Sequence, residues 1–157
     1  MDSIDQKAVI AVLNKILEQE LAGVVRYTHY SFMIYGFGRI PIVSWLRAQA
    51  NESLTHAQSA GELITTLGGH PSLSIGSLLD THSTSIAEIL TESLQTEEQA
   101  LRLYHDLLGL VRDRSVCIEE YARSMIAAEE MHGGEVRKML KAPGDTRAQP
   151  TQSSPAH

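Results

Sequence analysis

Glu129 and His132 stand three residues apart. On a helix that spacing puts both side chains on one face, about a turn apart, where they can grip the same ion. The same kind of group recurs upstream as Glu52 and His56. Two further glutamates complete the set, because Glu20 precedes Glu52 by 32 residues and Glu97 precedes Glu129 by 32. Tyr27 follows Glu20 by seven residues, and Tyr104 follows Glu97 by seven. The chain therefore reads as a duplicated half, each copy supplying a lone Glu, a Tyr two turns later and a Glu/His pair. A Glu from each of two helices, with a Glu/His pair from each of two others, is the ligand recipe of carboxylate-bridged two-metal sites in four-helix bundles. The expected fold class is accordingly all-α, a four-helix bundle.

Such a bundle needs a core, and 157 residues with 43% apolar and 20% charged side chains suffice for one domain. The domain is expected over residues 1–142, followed by a disordered polar tail over 143–157 rich in Pro, Ser, Gln and Thr. A net charge of −6 without a Lys/Arg run argues against a nucleic-acid partner. The one cysteine, Cys117, excludes an intrachain disulfide and reads as a small buried residue on a helix. No stretch reaches the ~18 apolar residues of a membrane span. The first residues, with Asp2 and Asp5 and no basic run, do not read as a secretory signal. A cytoplasmic protein is expected.

Helical periodicity organises the rest. Ser3 with Gln6 fits a capping box, and Val9, Leu13, Ile16, Leu17, Leu21 and Val25 carry a first helix to about Tyr35, before Gly36 and Gly38. Pro41 opens a second helix that ends at Gly68-Gly69. Ser85 with Glu88 caps a third, reaching about Val111, and a fourth runs from near Ser115 to about Lys141. The segment from Gly69 to Ser83 lacks long periodicity. A linker of that length reaches about 45 Å when extended. It can therefore travel the length of the bundle as a crossover and leave helices 2 and 3 parallel, while the short connections elsewhere make antiparallel neighbours.

Four carboxylates, Glu20, Glu52, Glu97 and Glu129, converge in such a core, and unpaired each would carry a penalty of several kcal/mol. Two divalent cations neutralise four carboxylates. Oxygen and imidazole ligands without thiolate suit iron or manganese and not a structural zinc. Glu52 and Glu129 are expected as bridges, Glu20 and Glu97 as terminal ligands, and His56 and His132 as one ligand to each ion. Tyr27 and Tyr104 are expected beside the ligands, their hydroxyls holding a carboxylate or a bound oxygen species, or else as core aromatics. The first pair is irregular. Glu52 and His56 are four residues apart, and Ser53 stands at the three-residue spacing. A π-bulge would absorb the extra residue, and an undistorted helix still keeps i and i+4 on one face. If Glu52 is not a ligand, the site is asymmetric.

At this point the chain resembles bacterioferritin and its ferritin-like relatives, from about residue 5 to residue 141. The residues that carry the likeness are Leu13-Asn14-Lys15-Ile16-Leu17 with Glu20-Leu21 and Tyr27, His56-Ala57, Gly69 with Pro71, and Glu129-Glu130 with His132. The resemblance implies a ferritin-like four-helix bundle with a long crossover between helices 2 and 3. It also implies two iron ions per chain (or manganese) in a ferroxidase centre, which oxidises Fe(II) with oxygen or hydrogen peroxide and stores the Fe(III) product in a hollow shell. Three departures stand out. Glu52 and His56 replace the family's three-residue spacing. Leu54 aligns with the haem-ligating Met, so haem is not supported. No fifth helix follows Pro143, which leaves a homo-oligomer as a dimer or a shell closed differently. The same ligands also serve a rubrerythrin-like peroxidase, a di-iron oxygenase, or a non-catalytic metal-binding subunit of a mixed ferritin shell.

Overall fold

The computed structural model describes residues 3–141 and 143. Four helices follow in order: α1 (Gln6–Met33), α2 (Arg39–Thr66), α3 (Ile86–Val111) and α4 (Val116–Leu140). At 1.5 Å per residue each is roughly 40 Å long, enough to span a small domain. The expected disordered tail lies outside the described residues, apart from Pro143.

Local chemistry sets the helix ends. The cap of α1 is Asp5, whose carboxylate accepts from the Ala8 amide at 3.1 Å; Ser3, the expected cap, lies two residues before it. The helix ends at Met33, two residues before Tyr35. Ser85 and Ser115 cap α3 and α4 by accepting from the Glu88 and Ile118 amides. Pro41 is the third residue of α2 and not its first, which a first turn tolerates because its amides have no intrahelical partner. Gly68, with φ of 81°, closes α2. The Gly69 amide donates to the Ile64 carbonyl and the Gly68 amide to that of Thr65, a pair of bonds that needs a left-handed residue at Gly68.

The crossover is as expected, and its course is fixed by side-chain and backbone ties. Asn14 accepts from the Ser72 amide and donates to the His70 carbonyl, and the Gly76 amide donates to the Glu18 carbonyl at 2.7 Å. The rings of His29 and His82 are 5.4 Å apart, and the Thr81 hydroxyl donates to Glu92. The linker thus climbs α1 from residue 14 to residue 29 before α3 begins. Between α3 and α1, Glu97 meets Tyr27 and Tyr104 meets Glu20, so these two helices are antiparallel and α3 is parallel to α2.

Two apolar clusters fill the bundle. One gathers Val9, Leu13, Ile16, Ile64, Leu107 and Ile118 with their neighbours, and the other Tyr30, Ile34, Val43, Leu46 and Ile89. Each buried aliphatic contributes about 1.5–3 kcal/mol. Between the clusters lies a polar layer holding Glu20, Ser53, Thr96 and Glu129. Cys117 is exposed, contrary to expectation, because it sits on the outer side of the first turn of α4. Among the described residues no helix is long and apolar enough to cross a membrane.

Candidate metal centre

The polar layer receives one contribution from each helix. Glu20 comes from the middle of α1, His56 from α2, Glu97 from α3, and Glu129 with His132 from α4. In the first half of the layer, His56 Nδ1 lies 3.6 Å from Glu20 Oε1 and 3.8 Å from Glu129 Oε1. One ligand atom from each of Glu20, His56 and Glu129 lies within 4.8 Å of the others. In the second half, His132 Nε2 is 3.8 Å from Glu97 Oε1. Glu97 and Glu129 line the same cleft as both histidines, which joins the halves. Glu129 is therefore the carboxylate that neighbours both halves.

Both tyrosines lie against these carboxylates. Tyr27 donates to Glu97 Oε1 at 2.6 Å and stands 3.3 Å from His132 Nε2; Tyr104 donates to Glu20 Oε1 at 2.8 Å. Each hydroxyl serves the glutamate of the other sequence repeat, because α1 and α3 run antiparallel.

Glu52 lies at the rim of the layer. Its side chain is half exposed (50%), and its Oε1 approaches the far ring nitrogen of His56, Nε2, at 3.7 Å. Of the two geometries expected for this pair, a π-bulge or an undistorted helix, α2 shows the second, being α-helical from Arg39 to Thr66. A regular helix sends the residue three before His56 inward, and that residue is the buried Ser53. The spacing of Glu129 and His132 carried this signal, because the same offset applied to His56 selects position 53. Ser53 also packs directly against Gly23 of α1. A Cβ added at Gly23 would lie 2.8 Å from its Oγ.

Two further residues escaped the sequence reading. The Trp45 indole stacks on the His132 imidazole, ring planes 6° apart and centroids 5.8 Å apart, which fixes the ring's tilt. Arg26 is only 6% exposed, with its guanidinium carbon 5.7 Å from the Tyr27 ring centroid. No spacing rule distinguishes a buried Arg from a solvated one on the flank of a helix. Glu98 and Glu130, neighbours of the site glutamates, are exposed. A small cleft beside the layer is lined by Gln49, Glu52, Ser53, His56, Glu129 and His132.

The electrostatics are those of carboxylates crowded together in a buried layer. Burial, followed by hydrogen bonding to Glu97 and the charges of Glu97, Glu20 and Glu52, pushes the Glu129 carboxyl up to about 11. Burial pushes Glu97 up as well, but the bond to Glu129, His132, Tyr27 and Arg26 outweigh it and hold it below its ordinary value. The two carboxyls are thus shifted in opposite directions, Glu129 up and Glu97 down. Burial disfavours the charged form of His56, yet Glu20, Glu52 and Glu97 raise its pKa overall. Burial raises both tyrosines well above 10, keeping them as hydroxyl donors.

His56 Nδ1 and Glu129 Oε2 are buried with no hydrogen-bond partner among the described residues. Such atoms are expensive to leave unpaired. His56 Nδ1 lies 3.8 Å from the other Glu129 oxygen, Oε1, and a cation held between the two side chains would satisfy both orphaned atoms. The residues fit a metal.

The ferritin-like domain, as a family, matches residues 10–143. No curated protein matches the chain. Among solved structures, a ferritin-like diiron-carboxylate protein from Bacillus anthracis str. Ames superposes with a TM-score of 0.81 at 24% identity, covering 89% of this chain and 100% of that one. A dodecameric thioferritin, the bacterioferritin-related protein of Bacteroides fragilis, gives 0.78 at 21% identity over 88% of this chain and 87% of that one. Rhodobacter capsulatus bacterioferritin, described with a metal-free dinuclear site and a haem iron, gives 0.77 at 26% identity over 88% and 86%.

Proposed function

The chain belongs to the ferritin-like family, and from that premise we propose that it binds Fe(II) in the polar layer and oxidises it with oxygen or hydrogen peroxide, as a cytoplasmic ferroxidase serving iron storage or detoxification. The observation that carries this reading is the pair of orphaned buried atoms, His56 Nδ1 and Glu129 Oε2, within a cluster of carboxylates. Glu20, His56 and Glu129 would hold iron in the first half, and Glu97, His132 and Glu129 in the second. Bound iron supplies the one-electron chemistry. The protein's residues do the rest: the carboxylates offset charge, the Tyr27 and Tyr104 hydroxyls hold Glu97 and Glu20 in place, and Glu52 orients His56 through Nε2. The cleft beside Glu52 and Gln49 is the entry for the ferrous substrate.

A homo-oligomer is part of the same reading. Phe32, Tyr35, Phe37 and Ile40 cluster exposed about the α1–α2 turn, more large apolar surface than an isolated helix pair ordinarily shows to water. A second reading, a metal-holding subunit without turnover, is favoured by Ser53 in the inward place where a bridging carboxylate would stand.

Aerobic Fe(II) oxidation, compared with buffer and with Glu129→Ala, separates them. The ferroxidase reading expects oxidation well above buffer in the parent and its loss in the variant, with the bundle still folded. Parent protein that oxidises iron no faster than buffer leaves the metal-holding reading.

A further inference from the structure

We propose that the layer is built for one tightly held divalent cation, at Glu20, His56 and Glu129, and that the buried guanidinium of Arg26 stands in for the charge of a second. A cation at Glu97 and His132 is then a weakly held visitor. This rests on the metal-binding part of the proposed function and deepens it.

Charge makes the first argument. The carboxylates enclosed in the layer are Glu20, Glu97 and Glu129, whereas Glu52 is half exposed and screened by water. Arg26 is a permanent cation, and at 6% exposure it shares their low-dielectric surroundings. Three negative charges and one positive leave a deficit that one divalent ion closes. Four enclosed carboxylates without the arginine would call for two ions.

Geometry makes the second. The structure brings Glu20, His56 and Glu129 within reach of one ion, and it brings together no second trio of this kind among the described residues. The first half also holds the orphaned atoms, His56 Nδ1 and Glu129 Oε2. The second half satisfies itself, because Glu97 Oε1 accepts from Tyr27 at 2.6 Å and its neighbour His132 is stacked on Trp45. Helix α2 offers that half Ser53, with no charge to share between two ions.

Arg26 itself makes the third. Its Nε and Nη1 are buried without a partner among the described residues, an arrangement that costs free energy unless nearby negative charge offsets it. The side chain flanks Tyr27, the phenol that binds Glu97. Its Nη2 lies 3.7 Å from the Cβ position of Gly23, the same point that Ser53 Oγ approaches to 2.8 Å. The serine and the arginine are therefore neighbours, and together they remove one negative charge from the layer and add one positive.

The test is an oxygen-free titration of the metal-free, full-length protein with Co(II), by calorimetry and visible absorption. One ion per chain should bind tightly and the second at least a hundredfold more weakly. His56→Ala should abolish the tight ion, whereas His132→Ala should leave it within about threefold. Arg26→Gln should strengthen the weak site tenfold or more without moving the tight one, and Ser53→Glu should bring the two affinities within about tenfold. Should Ser53→Glu fail to fold, the arginine variant and the parent stoichiometry still decide. Two ions of equal affinity in the parent, or a tight ion lost with His132 and kept without His56, would overturn the inference. Equal affinities with rapid aerobic oxidation would leave the ferroxidase reading standing. One tight ion without oxidation would do the reverse.

Discussion

The Tyr104 hydroxyl on α3 donates to Oε1 of Glu20 on α1 at 2.8 Å, tying together the two sequence repeats across the core. Tyr27 and Glu97 form the reciprocal tie at 2.6 Å. Each repeat thus carries the clamp for the other's glutamate, and neither half of the layer is complete on one repeat alone.

Removing one clamp should be felt as a lost donor to a buried carboxylate. Tyr104→Phe leaves Glu20 without that hydroxyl and should cost about 1–3 kcal/mol in the metal-free protein. For a domain of this size that is a fall of several degrees in Tm. A thermal melt of the variant beside the parent checks it, and bound metal should reduce the difference by engaging the same oxygen.

The metal-free protein should lose stability as pH rises through neutrality. Glu129, held up to about 11 by burial and then by Glu97, keeps its proton when folded, whereas an unfolded glutamate ionises near 4.5. The folded state binds the extra proton, so this contribution is complete below about 4.5 and declines toward 11. Glu97 is shifted the other way, and its contribution is lost only on acidification below its ordinary range. Urea denaturation between about pH 5.5 and 8.5 should show stability falling with pH, by at most about 1.4 kcal/mol per unit. Glu129→Gln should flatten that slope.

The contact of α1 with α2 at Gly23 admits a methyl group only if Ser53 shifts. A Cβ there would meet Ser53 Oγ at 2.8 Å and Ser53 Cβ at 3.3 Å, and only the first can rotate away. Gly23→Ala should destabilise the bundle by about 1–3 kcal/mol despite the better helix propensity of alanine. Pairing it with Ser53→Ala should recover part of the loss in the same denaturation experiment.

In the proposed site Glu52 would act on a metal only through His56, whose Nε2 its carboxylate approaches at 3.7 Å. Glu52→Gln should therefore weaken the tight site by about tenfold, the range for residues that orient a ligand. Glu20→Gln, which removes a ligand, should have a much larger effect in the same Co(II) titration.

Much of this was legible in the residues before any fold was known. Apolar positions at helical spacing located all four helices, and the long aperiodic stretch from Gly69 to Ser83 gave the crossover. The 32-residue and seven-residue intervals selected Glu20, Glu97, Glu129, Tyr27 and Tyr104, which the structure gathers in one layer. Glu52 shows where that reasoning stops. Counting between repeats favoured it, but a regular helix obeys its own period, and the three-residue offset from His56 turned Ser53 inward instead. Arg26 and Trp45 were illegible for another reason. Their roles depend on which flank of a helix meets its neighbour, and that follows from packing and not from spacing.

The central claim is that the orphaned atoms of His56 and Glu129 are metal ligands. Anomalous diffraction from crystals loaded with Fe(II) without oxygen tests it most directly. The account predicts an iron peak bounded by His56 Nδ1, Glu20 and Glu129. Iron found only at surface carboxylates, with that position empty at saturating Fe(II), would contradict it.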